Sequence, residues 1–137
     1  MKKLFLCMVA AAALGAPLAA ADVQLIANPD VSISELSAGD VRDIFLGSKT
    51  AVGGGAVEPV FVDAGAAHQL FLKTYLAKSD AALRNHFKAL VFTGKGVQPK
   101  TFDSEAEVVR YVSRTRGAIG YVGGGVDTSA VKKIQVK

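Results

Sequence analysis

The chain has 137 residues, 50% of them hydrophobic, a formal net charge of +4, a single cysteine and no tryptophan. Lys2 and Lys3 open the chain, so the balance over the remainder is about +2, too mild and too dispersed for a nucleic-acid footprint. Because the one cysteine, Cys7, sits in an N-terminal apolar run, a disulfide framework, a thiol nucleophile and a cysteine-based metal site are excluded downstream of it.

Residues 1–21 read as an export signal. Lys2 and Lys3 form a basic start, Leu4 to Leu14 an apolar stretch too short to span a bilayer, and Ala19-Ala20-Ala21 the small residues that a signal peptidase reads. Cleavage is expected after Ala21. That leaves about 116 residues, 22–137, enough to bury roughly two-thirds of the unfolded surface in one core. A single domain in the periplasm is the expectation.

Val23 to Ala27 reads as a first strand, ended by the turn signal Asn28-Pro29-Asp30. Ser37 offers an N-cap, Asp40 stands where a capping-box acid belongs, and Val41, Ile44 and Phe45 make one apolar helix face that Gly47 closes. Ser48 to Ala56, with Gly53-Gly54-Gly55, is expected to be a mobile loop. Val57 to Val62 is a β-branched strand that turns through Asp63-Ala64-Gly65 into a helix bearing Phe71, Leu72, Tyr75 and Leu76.

Ser79 caps a further helix with Asp80 in its first turn and a core stripe of Leu83, Phe87, Leu90 and Val91. Thr93-Gly94-Lys95-Gly96 breaks it, and Pro99 keeps the next segment extended. Ser104 and Glu107 form a capping box for a helix with Val108, Val109 and Val112 inside and Gly117 at C′. Its end gathers Arg110, Arg114 and Arg116, where cations complement the helix dipole. Ala118 to Val122 is an apolar strand buried on both faces, Gly123-Gly124-Gly125 a loop, and Val131 to Val136 an edge strand guarded by lysines. Strands interleaved with helices give an α/β class: a layered domain with a small mixed β-sheet covered by helices.

The strand-to-helix turn at Asp63 is the natural anion site, because the first N–H groups of a helix have no partner within it. Asp63, the backbone of Gly65, Ala66 and Ala67, and His68 are the candidate ligand-binding residues. Asp63 serves either as an N-cap or as an acceptor for a protonated oxyanion or an amine. His68 meets an anion or faces solvent. His86, beside Phe87, reads as a core-edge histidine. Neither histidine belongs to an H-E-x-x-H pattern, the turn lacks the Gly-x-Ser-x-Gly of a hydrolase, and the glycine runs lack a Walker Lys-Ser/Thr. No catalytic residues, cofactor or metal are therefore expected, and the chain does not read as an enzyme.

Leu36-Ser37 followed by Val41-Arg42-Asp43-Ile44-Phe45-Leu46-Gly47, then Val91-Phe92-Thr93-Gly94-Lys95-Gly96, then Gly117-Ala118-Ile119-Gly120-Tyr121-Val122 resemble the phosphate-binding proteins of bacterial ABC importers. The resemblance covers nearly all of 22–137 but only about one of that family's two lobes. It implies one lobe of a type II periplasmic binding protein, with phosphate or another small oxyanion as ligand and an ABC permease or other envelope protein as partner.

The family's cradle has the form Arg-x-Asp-x-Ser-Gly-Thr. Laid onto this chain, Asp63 keeps the aspartate, while Phe61, Gly65, Ala66 and Ala67 stand where arginine, serine, glycine and threonine belong. The tryptophan that usually follows the Ile-Phe-Leu-Gly helix is also missing. Losing an arginine fork and two hydroxyl donors, at about 1.5–3 kcal/mol per charge-assisted bond, predicts weak oxyanion binding if any. The alternative is a ligand-free interaction or sensory module that meets a partner protein, or its own copy as a homodimer, across the face of the missing lobe. An exposed apolar patch of Phe61, Tyr121 and the Asp63 turn would favour that alternative, and a polar cleft there would favour a ligand.

Overall fold

The structure is a computed structural model that describes residues 23–137; the signal expected over residues 1–21 lies outside them. Its elements in chain order are β1 (Val23–Ala27), β2 (Glu35–Leu36), α1 (Ala38–Phe45), β3 (Ala51–Val52), β4 (Gly55–Ala56), β5 (Glu58–Val62) and α2 (Ala66–Phe71). A π-helical turn, Leu72–Leu76, prolongs α2. Then come α3 (Asp80–Phe92), β6 (Lys100–Phe102), α4 (Glu105–Arg114), β7 (Ala118–Gly123) and β8 (Lys132–Val136).

Six strands form one mixed sheet in the order β2-β8-β1-β7-β5-β6. The apolar run of β7 lies at its centre, antiparallel to β1 through Leu25↔Tyr121 and parallel to β5 through Pro59↔Ile119. Both faces are covered, which is what a continuous apolar strand requires. On one face α4 approaches closely: a Cβ on Gly120 would stand 2.8 Å from a methyl of Val108 and 3.1 Å from one of Val60. On the other, Tyr121 lies flat on Phe71, ring centroids 3.9 Å apart, with Phe45 and Phe61 edge-on around it.

Three serines start helices as expected: Ser37 accepts from the Asp40 N–H, Ser79 from Ala82 and Ser104 from Glu107. Other expectations need correction. Within the Ser48–Ala56 stretch, expected as a loop, Ala51 to Ala56 form the β3–β4 hairpin. Gly53 and Gly54 take φ of 58° and 85°, the pair of positive angles that a two-residue hairpin turn demands. The segment expected to stay extended after Pro99 does so, and the structure adds that it is a strand, β6, paired in parallel with β5. β8 is not an edge, because β2 pairs beside it in parallel. Val91 is 48% exposed and leaves the α3 stripe, while Leu83 and Phe87 keep it. Gly117 is not the C′ residue of α4, whose C-cap is Thr115. It is glycine at φ 80° because a Cβ would stand 2.5 Å from the Ala56 carbonyl oxygen. No helix among the described residues is long and apolar enough to cross a membrane.

Candidate functional site

Strands β7, β5 and β6 run parallel, so their carboxyl ends open on the same rim of the sheet. In open α/β sheets that rim is where ligands bind. Here it carries the Asp63 turn. The Asp63 N–H donates to the Phe102 carbonyl at 2.8 Å, tying the end of β5 to the end of β6. Asp63, Gly65 and Ala66 are exposed and Ala67 is half-buried. Gly65 is the N-cap of α2 and has no side chain to cap with, so the alternative of Asp63 as N-cap is not the one realised.

His68 is not a solvent-facing residue. It is 3% exposed, and both of its ring nitrogens are occupied. Nδ1 lies 2.6 Å from the Tyr121 hydroxyl and Nε2 lies 2.7 Å from Asp80 Oδ1. The second Asp80 oxygen accepts from the Gln69 amide at 2.9 Å, and the Tyr121 oxygen accepts from the Val62 N–H at 3.2 Å. One chain of hydrogen bonds thus joins α3, α2, β7 and the last residue of β5. The His68 bond, then that from Gln69, holds the Asp80 carboxyl below the usual carboxylate range, against a smaller opposing effect of burial. Burial pushes the Tyr121 hydroxyl well above an ordinary phenol.

The order carboxylate, imidazole, hydroxyl has the form of a proton relay, but Tyr121 is 0% exposed and its oxygen already accepts a backbone N–H. The network ties the turn to the centre of the sheet. His86 is a core-edge residue as expected, its Nε2 2.7 Å from the Leu46 carbonyl oxygen.

Beside the turn lies a cleft of about 320 Å³. Phe61 and Phe87 line it, together with the polar residues Asp63, His68, Asp80, Arg84, Gln98 and Thr101. Its charged lining sets two carboxylates against one guanidinium. Phe61, at 3% exposure, is packed edge-on against Phe45 and Phe87, so it and Tyr121 offer no exposed apolar patch. Among the described residues no three His, Cys, Asp or Glu side chains are placed to hold a metal ion.

Sequence reasoning misses Arg84, Gln98 and Thr101 as cleft residues and reads Asp80 only as a first-turn acid. Asp80 and Arg84 are four apart on α3, a spacing that places both on one helix face and is legible. Gln98 and Thr101 come to the cleft only because β6 forms.

No family model and no curated protein sequence matches the chain. Solved structures do. A phosphate ABC transporter substrate-binding protein from Clostridium perfringens, with bound phosphate, superposes with a TM-score of 0.64 at 18% identity, over 83% of this chain and 44% of its own. PstS from Borrelia burgdorferi gives 0.64 at 16%, over 84% and 47%. An ABC-type phosphate transport receptor from Vibrio cholerae gives 0.56 at 16%, over 83% and 45%. The fold is that of one lobe of a type II periplasmic binding protein. The chain spans less than half the length of each of these structures, as one lobe would.

Proposed function

We propose that this chain is a periplasmic solute-binding-like lobe, related to the phosphate-binding component of ABC importers, that takes a small oxyanion weakly if at all. The observation that carries this reading is the charge of the cleft at the Asp63 turn. Asp63 and Asp80 face a single cation, Arg84, and the one imidazole within reach is already bonded on both sides. An oxyanion at the turn would meet backbone N–H groups of Gly65 to Ala67 and, against them, an excess negative charge. The solved relatives in fold are transport binding proteins, which supports a binding role over catalysis.

Isothermal titration of the chain without residues 1–21 with inorganic phosphate tests this directly. No binding tighter than about micromolar is expected, because the arginine fork and hydroxyl donors of a full cradle are absent. Submicromolar affinity would overturn the reading.

A further inference from the structure

The three large hydrophobic side chains that the described residues leave exposed all fall between positions 91 and 97: Val91 at 48%, Phe92 at 92% and Val97 at 81%. They form the tip where α3 ends, at Thr93, whose hydroxyl donates back to the Ala89 carbonyl at 2.8 Å. Scattered singly, such residues need no explanation; gathered on one tip they mark a contact surface.

The segment that carries the tip holds charge of one sign. From residue 81 to residue 102 the sequence holds Arg84, Lys88, Lys95 and Lys100 and no carboxylate. Lys88 and Phe92 are one helical turn apart on α3, on the same side. Lys100 has Glu58 at 3.7 Å, whereas Lys88 and Lys95 pair with no carboxylate among the described residues. Behind the tip runs an apolar groove of about 380 Å³ over Ile44, Phe87 and Leu90, rimmed by Lys49, Lys95 and Lys100 and by one carboxylate, Glu58. The groove adjoins the cleft, sharing Phe87, Gln98 and Pro99 with it, but none of Lys88, Phe92, Lys95 and Val97 lines the cleft, so the tip lies outside the proposed solute site.

Charge decides among occupants. A second copy would bring one lysine collar against another. A groove-filling acidic segment of a protein would leave Phe92 unused, since Phe92 stands proud of the groove and does not line it. An exposed apolar tip flanked by Lys88 and Lys95 matches an anionic lipid surface, where the apolar side chains enter the headgroup boundary and the ammonium groups stay with the phosphates. We propose that the 91–97 tip docks this protein on an anionic membrane surface, with Phe92 and Val97 inserting and Lys88 and Lys95 holding the headgroups.

Co-sedimentation with vesicles tests it, using the chain without residues 1–21, whose sheet and core lie wholly within 23–137. Vesicles of phosphatidylethanolamine with about 30% phosphatidylglycerol should retain the protein, and vesicles of phosphatidylcholine should not. Phe92→Ser should weaken retention about tenfold or more. The pair Lys88→Ser and Lys95→Ser should do likewise, as should salt at about 1 M, where screening acts over about 3 Å. Because these side chains are exposed, unchanged circular dichroism is expected of every variant. Equal retention on both vesicle types, retention on neither, or wild-type retention of Phe92→Ser would overturn the proposal. A concentration-dependent mass that Phe92→Ser abolishes would assign the tip to protein contact and overturn it equally.

Discussion

The Nδ1 nitrogen of His68 lies 2.6 Å from the Tyr121 hydroxyl, which in turn accepts the Val62 N–H at 3.2 Å. Through this pair the first turn of α2 is locked to the centre of the sheet at the point where β5 ends. Tyr121→Phe keeps the ring stack on Phe71 but strips a buried imidazole nitrogen and a buried backbone N–H of their common partner. Urea unfolding should show a loss of about 1–3 kcal/mol, the cost of leaving buried polar groups unsatisfied. A variant as stable as the wild type would mean that water replaces the hydroxyl.

The same network makes the fold sensitive to acid. Asp80 has a folded pKa below its ordinary 3.8, owing first to the His68 hydrogen bond and second to Gln69. A carboxyl depressed in the folded state contributes stability that is present above its unfolded pKa and is lost as pH falls through the folded value. The melting temperature should therefore hold from about pH 7 to pH 5 and fall below about pH 4. In Asp80→Asn that acid-side fall should be shallower, and the melting curve against pH checks it. Asp80 keeps 40% of its side chain exposed, so solvent screening keeps the effect modest.

How much of this is legible in the sequence follows from how far apart the partners lie. The caps at Ser37, Ser79 and Ser104 each rest on an N–H three residues on, so a local pattern suffices. The central strand β7 is legible because no alternation interrupts Ala118 to Val122. Nothing local marks the approach of Tyr121 to His68 across 53 positions, or the pairing of Lys100–Phe102 with β5. A three-residue strand after Pro99 has no periodicity to read, yet it brings Gln98 and Thr101 to the cleft. The glycine run at 53–55 reads as a loop because composition alone does not separate a flexible stretch from a turn that demands positive φ. The Asp63 turn lies where the strand-to-helix pattern puts it. Its chemistry is hidden in Asp80 and Arg84, which belong to another helix.

Two glycines with similar backbone angles separate strain from space. A Cβ added to Gly54, at φ 85°, would meet nothing within 4 Å, whereas one added to Gly117, at φ 80°, would stand 2.5 Å from the Ala56 carbonyl oxygen. Gly54→Ala should cost about 1–2 kcal/mol from the left-handed conformation alone. Gly117→Ala should cost about 1–3 kcal/mol more, since the hairpin strand β4 must shift to admit the methyl group. Paired denaturation curves check the difference, and equal losses would mean that β4 moves freely.

Phe61 occupies the position where the resembled cradle carries arginine, and restoring that arginine tests whether the anion site is one substitution away. The Phe61 ring meets Phe45 at 5.5 Å, Phe87 at 6.0 Å and Tyr121 at 6.0 Å between centroids, at 3% exposure. Phe61→Arg removes these edge contacts, worth about 3–5 kcal/mol as a large side chain lost from a core. It also places a guanidinium among aromatic rings, where a buried charge held away from the cleft carboxylates costs several kcal/mol more. Against a total stability of about 5–15 kcal/mol for a domain, the variant should unfold or melt far below the wild type. It should gain no phosphate affinity. A folded Phe61→Arg that binds phosphate would show instead that the side chain turns outward into the cleft, and that the lobe retains a cradle needing only its cation.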